Sequence, residues 1–386
     1  MTQCLKVVHI ITGLNDGGAE SVLYKLCEFD SACSHTVISL MDLGKYGSLL
    51  SEEGIPVYCL DMKQGRLSIK GLVKLWRLLI SERPSVVQTW MYHADLVGGI
   101  FARMAGVGKV CWGVHHSDVE SNSFKNSTIC VIRLCAILSR FIPNKIVCCA
   151  HASLNSHAGL GYAKNKMLVI RNGYDMNQFQ PDMAARNRLR SEWNIHDLEP
   201  LIGMVGRFHP HKDHKSLFEA LGILNQSAKD FRCVLVGSGI SIRNEYIKEW
   251  IQNYGLQQKI LLLGQRDDIP AVMNALDIHV LSSIDEAFPN VLAEAMACGT
   301  PCVATDVGDV KLMIADSGWV VPSANPSMLA HSIDEALLEL NDPVSWVERR
   351  ERARKHIMSN FPIEAMIQAY HDVWAVGNHL HNGISV

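Results

Sequence analysis

Along the chain, short apolar runs alternate with longer segments in which apolar residues recur at helical spacing. In the first half, the short runs predict strands at 5–12, 35–41, 55–60, 85–89, 110–114 and 145–149. The longer segments predict helices at 19–29, 46–54, 68–82, 94–106 and 126–141. Strands and helices that alternate in this way form a parallel, doubly wound sheet, and such sheets bind ligands at the carboxyl ends of their strands.

The same alternation resumes after a polar stretch that ends near residue 199. Apolar runs predict a strand at 201–205, strand-and-turn segments at 233–239 and 260–270, and a strand that ends at Leu281. A chain of 386 residues is long enough for two domains with ample cores. The pattern therefore predicts an α/β protein of two domains.

The segment Leu281–Cys302 carries the clearest chemical signal. A polar loop follows the strand, and Pro289 and Asn290 begin a helix, where the fixed φ of proline and the capping side chain of asparagine are both favourable. Gly299 ends the helix. The N-terminus of such a helix has free N–H groups and a partial positive charge, which favour an anion.

Two carboxylates flank this helix N-terminus, Glu286 in the loop and Glu294 in the helix. Pro289 stands between them, so they cannot share one helical face. A sugar nucleotide has a matching layout, with a diphosphate between a ribose diol and the hydroxyls of a sugar, and each carboxylate can accept two hydroxyl hydrogen bonds. Either carboxylate alone would be an ordinary solvated residue, but Ala295 and Ala297 leave little bulk around Glu294.

This stretch resembles the E-x7-E signature of the family 4 retaining glycosyltransferases, which have the GT-B fold. The matching residues are Glu286, Phe288, Pro289, Asn290, Glu294, Ala295, Cys298, Gly299 and Pro301. Ala287 stands where the family more often has Gly, which would tighten the donor sugar pocket. The resemblance extends over nearly the whole chain and implies two Rossmann-like, doubly wound domains that face each other across a cleft.

The resemblance also implies domain boundaries. We expect an acceptor-side domain at 1–175, a linker at 176–199 and a nucleotide-sugar-binding domain at 200–362. A C-terminal helix at about 363–376 is expected to cross back onto the first domain.

The resemblance assigns donor contacts residue by residue. Arg207 and Lys212 in GRFHPHKD match the cations that family members direct at the diphosphate, where they can stabilise the leaving group without a metal. The residues expected at the diphosphate are Gly17, Gly18, Arg207, Lys212, Asn290 and Val291. Those expected at the donor sugar are Glu286, Ala287 and Phe288, and Glu294 is expected at the ribose.

Histidines and one loop complete the expected site. His115 in WGVHHSD, three residues before Asp118, matches the family histidine near the anomeric carbon, and we expect His115 and Glu286 to be the catalytic residues. His93 is expected on the acceptor side. Gln265 and Arg266 are expected near the nucleotide base.

No sequence feature indicates a metal ion or a cofactor. The chain contains no Asp-x-Asp, and no carboxylate-rich or Cys set accompanies His209, His211 and His214. CVLVGSG at 233–239 lacks the third glycine of a dinucleotide fingerprint, which argues against a nicotinamide oxidoreductase. We therefore expect neither metal nor cofactor.

Charge is distributed unevenly along the chain. Residues 1–173 contain 18 Lys+Arg and 12 Asp+Glu, whereas residues 174–386 contain 18 and 27. A basic first half favours an anionic partner, and a membrane surface or a phosphorylated acceptor would fit, whereas no motif supports nucleic acid. The basic residues that lie among large apolar ones in two predicted helices are Lys70, Lys74, Arg77, Arg133 and Arg140. Such helices can lie in a membrane interface, although ordinary surface helices share the pattern.

Cysteine usage and hydropathy indicate the compartment. The 12 cysteines form no Cys-x-x-Cys pair and most lie among apolar residues, which is typical of a reduced cytosolic protein. No signal peptide precedes the first strand, and no apolar stretch approaches the ~20 residues of a membrane span. We expect a cytoplasmic protein, peripheral on the inner face of the cell membrane if the basic helices bind it.

The resemblance thus predicts a retaining glycosyltransferase that moves a sugar from a nucleotide diphosphate sugar, UDP-linked, to an acceptor hydroxyl. The paired segments WMYHADLVGG and WGVHHSD resemble enzymes of bacterial capsule, O-antigen or exopolysaccharide synthesis, so the expected acceptor is a saccharide, free or linked to polyprenyl diphosphate. The alternative is a GT-B sugar-nucleotide epimerase, which uses a similar cleft and needs no acceptor.

Overall fold

A computed structural model describes residues 5–15, 17–63, 65–66, 68–116 and 125–375. The chain divides into two compact units. Unit 1 comprises Met1–Gly173 and Ile363–Val386, and unit 2 comprises Tyr174–Pro362.

Unit 1 is built on a parallel sheet of seven strands in the order β3-β2-β1-β4-β5-β6-β7. Its strands are β1 (Leu5–Ile11), β2 (Cys33–Ser39), β3 (Val57–Cys59), β4 (Val86–Trp90), β5 (Val110–Val114), β6 (Lys145–Cys148) and β7 (Met167–Val169). Its helices before the chain leaves the unit are α1 (Gly18–Phe29), α2 (Gly44–Glu52), α3 (Ile69–Glu82), α4 (Tyr92–Met104), α5 (Asn126–Leu138) and α6 (His151–Gly159).

Both faces of this sheet are buried. Val8 and Ile10 of β1 belong to a core cluster that includes residues of α3, α4 and α5. Val7 and Ile11 of the same strand belong to a second cluster with residues of α1. The side chains of a strand point alternately to opposite faces, so the buried residues of β1 pack on both sides of the sheet, as doubly wound sheets require.

Unit 2 has a parallel sheet of six strands in the order β10-β9-β8-β11-β12-β13. Its strands are β8 (Leu201–Val205), β9 (Arg232–Val236), β10 (Ile260–Gly264), β11 (Ile278–Leu281), β12 (Cys302–Thr305) and β13 (Trp319–Val321). Its helices are α7 (Met183–Glu192), α8 (His214–Gln226), α9 (Glu245–Asn253), α10 (Ile269–Ala275), α11 (Asn290–Ala297), α12 (Val310–Ile314), α13 (Pro326–Leu340) and α14 (Pro343–Asn360). The predicted doubly wound α/β architecture is therefore confirmed in both units.

A last helix, α15 (Ile363–Ala375), belongs to unit 1. Its residues Tyr370 and Trp374 are buried in the same cluster as Val7 and Ile11 of β1. Lys109 also donates a hydrogen bond to the Trp374 carbonyl at 2.5 Å.

The segment 176–199, which we expected to be a linker, is part of unit 2. Arg186 and Arg190 of α7 both pair with the buried carboxylate of Asp277, at 2.5 and 3.2 Å. Asp277 also accepts a hydrogen bond from the backbone N–H of Leu201, at the start of β8. These contacts tie α7 to the sheet of unit 2, so the segment does not act as a free connector.

Candidate active site

In unit 2 the order of strands reverses between β8 and β11. From β8 the chain continues to β9 on one side of the sheet, and from β11 it continues to β12 on the other side. The loops that follow the two strands therefore diverge and leave a crevice at their carboxyl ends, which is where open α/β sheets bind ligands. GRFHPHKD follows β8, and the polar loop with Glu286 follows β11.

Lys212 and Glu286 meet at this crevice. Lys212 ends the 3₁₀ turn Pro210–Lys212, and its Nζ lies 2.5 Å from Glu286 Oε1. Ser283 Oγ donates a hydrogen bond to the same carboxylate oxygen at 3.0 Å. Both members of the ion pair are largely buried, so solvent screens the pair less than it would screen a surface pair. The carboxylate is thereby held in one orientation.

Arg207 and Lys212 lie in the same loop after β8, on either side of His209. Burial lowers the pKa of His209, and the positive charges of Arg207, His211 and Lys212 lower it further, whereas Glu286 raises it. Basic side chains therefore surround His209, and two of them, His211 and Lys212, are paired with the carboxylates of Asp285 and Glu286. Arg207 itself is exposed at the end of β8.

A second polar pair, not predicted from the sequence, lies beside the first. His211 Nδ1 is 3.2 Å from Asp285 Oδ2, and the backbone N–H of Ile284 donates to the His211 carbonyl at 2.8 Å. The two loops are thus joined through both side chains and backbone. Asp285 and Glu286 are adjacent in sequence, but each pairs with a different residue of the turn after β8.

Helix α11 begins as predicted but is not capped as predicted. Asn290 is its first residue, and Asn290 Oδ1 accepts a hydrogen bond from the Tyr174 hydroxyl at 2.8 Å. The Asn290 side chain therefore anchors the segment that enters unit 2 and does not cap the helix. Gly299 ends the helix in the left-handed conformation, with φ of 75°, as expected. Val291 and Glu294 are half-buried.

The backbone around Glu286 packs closely against the loop after β12. Gly308 has φ of 54°, and a Cβ atom there would overlap the backbone oxygen of Glu286. The N–H of Asp309 donates to the Ala287 carbonyl at 3.2 Å. Only glycine suits position 308, a requirement that no motif in the sequence indicates.

The two residues after Glu286 are buried. Ala287 is in the core, and the ring of Phe288 packs edge-on against Phe361, with ring centroids 5.5 Å apart. The Phe288 side chain therefore serves packing within unit 2, and only its backbone is available to a donor sugar.

In unit 1 the corresponding reversal lies between β1 and β4. Gly17 and Gly18 follow β1 and begin α1, where Gly17 is the N-cap residue with φ of −155° and ψ of 165°. This backbone is extended, so Gly17 is not required here for a left-handed turn. The space that a Cβ atom of residue 17 would take is filled by the carboxylate of Glu20.

His115 follows β5, and its ring stacks on Trp90 at the end of β4, with centroids 5.2 Å apart. Burial, and secondarily His116, lower the pKa of His115 to about 3, so its imidazole is neutral near pH 7. Its Nε2 has no hydrogen-bond partner among the residues that the structure describes. Burial also lowers the pKa of His93, the second residue of α4. Asp118, which completes the WGVHHSD motif, lies outside the described residues.

A buried carboxyl group, that of Asp95, lies close to the ends of β4 and β5. It is fully buried in α4, and Thr89 Oγ1 donates to its Oδ1 at 2.5 Å. Burial raises the pKa of Asp95 well above its usual range, an effect that hydrogen bonds from Thr89 and the Gly113 N–H only partly offset. Met91, the residue just before α4, has φ of 71°, a strained value for a residue with a side chain.

The expected base-site residues lie in the loop after β10. Arg266 donates two hydrogen bonds to the Asp268 carboxylate, both at 2.7 Å, and its guanidinium lies 5.6 Å from the ring centroid of Trp193. These contacts hold the Arg266 guanidinium against Asp268 and Trp193 within unit 2. Gln265 is exposed.

Two family models match the chain. One, described as Glycosyltransferase Family 4, matches residues 16–178, and the other, described as Glycosyl transferases group 1, matches residues 185–356. With the two doubly wound units, these matches define a glycosyltransferase of the GT-B fold. The chain belongs to the family 4 glycosyltransferases, as its E-x7-E motif predicts.

Individual relatives agree with this assignment. The chain is 27% identical over 296 residues to the Escherichia coli UDP-Gal:alpha-D-GlcNAc-diphosphoundecaprenol alpha-1,3-galactosyltransferase, covering 76% of this chain and 72% of that protein. It is 28% identical over 360 residues to EpsF of Bacillus subtilis (strain 168), a glycosyltransferase by name, covering 90% and 87%. The crystal structure of Anabaena Alr3699/HepE in complex with UDP and glucose has the same fold, with a TM-score of 0.82 at 22% identity over 96% of this chain and 100% of that chain.

Proposed function

We propose that the enzyme transfers a sugar from a UDP-sugar to a hydroxyl of a polyprenyl-diphosphate-linked saccharide, with retention at the anomeric carbon, in the synthesis of a bacterial surface polysaccharide. The observation that carries this proposal is the ion pair of Lys212 and Glu286 at the strand-order reversal of unit 2. The donor and acceptor named in the Escherichia coli relative support it, and UDP is bound in the Anabaena structure.

For the diphosphate, we assign Lys212 and Arg207 as the cationic partners. An ammonium group has three donors, so Lys212 can keep its bond to Glu286 while it donates to a phosphate oxygen. The backbone N–H groups of Asn290 and Val291 open α11 and add the partial positive charge of a helix N-terminus. Together these groups favour departure of the nucleoside diphosphate, and a divalent metal is not needed to neutralise it.

For the sugar and the ribose, we assign the two carboxylates. Lys212 and Ser283 both contact Oε1 of Glu286. A carboxylate accepts up to four hydrogen bonds, so Oε2 is the atom that we assign to the donor sugar hydroxyls. The backbone at Ala287 and Phe288 would line the same subsite. Glu294 would accept hydrogen bonds from the ribose diol, and Gln265 would lie near the base.

His115 contributes a neutral imidazole in this proposal. Its low pKa means that it cannot donate a second proton or add positive charge near pH 7. It would therefore line the donor sugar as a hydrogen-bonding group beside the reacting carbon. His93, on the helix after the neighbouring strand, is our candidate for a group on the acceptor side.

A surface of unit 1 supports a lipid-linked acceptor. On α3, Ile69, Val73, Trp76 and Ile80 are all exposed and recur at spacings of four, three and four, which places them in one stripe. Ile69 is 82% exposed. The exposed cations of the same helix are Lys70, Lys74 and Arg77.

Helix α5, on the same face of the sheet as α3, also has exposed apolar residues beside exposed cations. Leu134, Ile137 and Phe141 are exposed on and just after this helix, and Phe141 is 74% exposed. Arg133 and Arg140 are exposed beside them. No helix among the described residues is long and apolar enough to cross a membrane. We propose that α3 and α5 dock the enzyme on the anionic cytoplasmic face of the membrane, where basic and apolar groups both contribute to binding.

A donor and acceptor screen tests the proposed function. The full chain would be incubated with common nucleotide sugars, each with and without N-acetylglucosamine linked to undecaprenyl diphosphate. The masses of the lipid products would be measured by mass spectrometry. We expect a lipid heavier by one sugar with a UDP-sugar donor. A donor altered at one carbon in the absence of acceptor would support the epimerase instead.

A further inference from the structure

Three groups that can bind a metal ion converge in unit 1, away from the carboxyl ends of its strands. Asp30 follows α1, Cys33 is the first residue of β2, and His371 lies on α15. The connection from α1 to β2 lies at the amino ends of the parallel strands, whereas Gly17 and His115 lie at the carboxyl ends. One ligand atom from each residue lies within 4.8 Å of the other two.

The geometry is close to that of a metal site. Cys33 Sγ lies 3.6 Å from His371 Nε2, and His371 Nε2 lies 2.7 Å from Asp30 Oδ2. Zinc binds thiolate at about 2.3 Å and imidazole or carboxylate at about 2.0–2.2 Å in tetrahedral geometry. The sulfur–nitrogen separation already suits two such bonds, and the oxygen–nitrogen separation must widen by roughly half an ångström. His371 and Cys33 are partly exposed, which leaves an open side for entry and for a water molecule.

The carboxylate is oriented by further hydrogen bonds, as metal ligands usually are. Asp30 Oδ1 accepts from the Ala32 N–H at 3.0 Å, and His35 Nε2 lies 3.2 Å from Asp30 Oδ2. The side chain of Asp30 is almost completely buried. A carboxylate held in this way at the end of a helix is already positioned to bind a cation.

A chain of hydrogen bonds leads from Trp90 through His9 and His35 to the Asp30 carboxylate, and each group donates to the next. The indole N–H of Trp90 can only donate, so His9 Nδ1 accepts from it at 3.2 Å. His9 Nε2 then carries the proton and donates to His35 Nδ1 at 3.0 Å, which leaves His35 Nε2 to donate to Asp30. Every ring nitrogen of these two neutral histidines is thus used.

This network excludes a neighbouring alternative. His9, Cys27 and His35 also bring ligand atoms together, but all three are buried and both histidines are committed to the network. A metal there would have to break several buried hydrogen bonds, which is costly. Among the described residues, the site at Asp30, Cys33 and His371 is therefore the one that suits an ion.

We propose that Asp30, Cys33 and His371 bind one Zn²⁺ ion, which links α15 to the start of β2. Binding would replace the hydrogen bond between Asp30 and His371 with two metal bonds. His371 would bind through the lone pair of Nε2, with its proton on Nδ1, and the Cys33 thiol would lose its proton to solvent. This zinc has a structural role, because its ligands lie at the amino ends of the strands of unit 1, whereas Gly17 and His115 lie at the carboxyl ends. The proposal does not depend on the identity of the sugar or the acceptor.

The first test measures metal directly. Tag-free full-length chain would be stripped with chelator, supplied with excess Zn²⁺, desalted and analysed for bound zinc, and its melting temperature would be recorded with and without zinc. We expect one equivalent of retained zinc and a higher melting temperature. The Cys33→Ser and His371→Gln variants should retain little zinc and show no zinc-dependent rise.

Matched controls are Cys130→Ser and His331→Gln, which alter an exposed cysteine on α5 and an exposed histidine on α13. Both should bind zinc as the wild type does. If a ligand variant fails to fold, Co²⁺ added to the wild type gives a second readout, a thiolate-to-metal absorption band that persists in the Cys130→Ser control. Wild type that retains no zinc, or ligand variants that retain as much as the controls, would overturn the proposal.

Discussion

Lys212 and Glu286 are 74 residues apart in sequence, yet their charged groups are in direct contact, with Nζ 2.5 Å from Oε1. The sequence motifs assign them to different parts of the donor, the diphosphate and the sugar. The structure joins them, so the group that would hold the leaving diphosphate also orients the carboxylate that would hold the sugar. Replacing Lys212 should therefore also release the Glu286 carboxylate, whereas a glutamine at position 286 still offers an amide oxygen to the Lys212 ammonium.

This pairing predicts different outcomes for the charged residues when UDP binding is measured by calorimetry. Hydrogen bonds to charged groups contribute about 1.5–3 kcal/mol, so Lys212→Gln should weaken UDP binding by roughly 10- to 100-fold. Glu294→Gln should also weaken it, because the ribose is part of UDP. Glu286→Gln should leave the affinity for UDP nearly unchanged while it lowers turnover of the whole donor.

The matched control for this series is Lys215→Gln. Lys215 lies three residues from Lys212, is exposed and pairs with Glu219 on the surface of α8. Its replacement should alter neither affinity nor turnover. Equal losses of UDP affinity in Glu286→Gln and Glu294→Gln would contradict the assigned roles.

Metal dependence separates the donor site from the proposed zinc site. The positive charge from Arg207, Lys212 and the start of α11 predicts that Mg²⁺ and Mn²⁺ do not raise the initial rate, and that excess chelator does not lower it. The same comparison in Cys33→Ser, which lacks a proposed zinc ligand, shows whether any chelator effect comes from unit 1. A rate lost in chelator and restored by Mg²⁺ or Mn²⁺ in both proteins would disprove metal-free donor chemistry.

Vesicle flotation tests the surface of α3 and α5. Each basic residue near an anionic surface contributes roughly 1 kcal/mol, which salt screens, so we expect binding to anionic vesicles that weakens as salt rises and no binding to neutral ones. Replacing Lys70, Lys74 and Arg77 together by Gln should reduce this binding and leave donor hydrolysis intact. A triple Gln variant at Lys215, Lys248 and Lys355 removes the same charge from unit 2 and should bind normally. Failure of the wild type to float with anionic vesicles at low salt would leave a phosphorylated acceptor as the explanation of the basic half.

Asp95 should make stability depend on pH in a specific direction. Its pKa in the folded state is raised well above the ordinary 3.8, so the folded protein binds this proton more tightly than the unfolded chain does. The contribution of Asp95 to stability is therefore complete below pH 3.8 and declines as pH rises through the window up to the folded pKa. Asp95→Asn keeps the shape and removes the titration. The melting temperature of the variant minus that of the wild type should increase from pH 4 to pH 8, and a constant or falling difference would contradict the assignment.

Most of the strands and several helices could be predicted because burial on both faces of a sheet leaves a clear apolar run. The strand at 110–114 was predicted with the bounds that β5 has. Helix α6 was missed because HASLNSHAG has few apolar residues to show a helical period. Strand β7 has only three residues, too few for a pattern.

The candidate site was predictable only in part, for a physical reason. Motifs identify Lys212 and Glu286 one at a time, but their contact depends on β8 and β11 being neighbours in the sheet. The capping role expected of Asn290 was wrong because Pro289 holds the N-cap position and Asn290 is the first helical residue, whose side-chain oxygen accepts from Tyr174. The contact of Asp30 with His371 spans 341 residues and requires α15 to pack in unit 1. Local sequence carries no information on such pairings.

Acceptor-dependent release of UDP is the measurement that tests the central claim most directly. Purified enzyme would be incubated with the UDP-sugar selected by the donor screen, with and without N-acetylglucosamine linked to undecaprenyl diphosphate. The amounts of UDP released and of lipid extended would be measured in the same reaction. We predict one UDP for each lipid extended, little UDP without acceptor, and loss of both products in Glu286→Gln. UDP released at the same rate without acceptor, or no lipid extended by any UDP-sugar, would contradict the account.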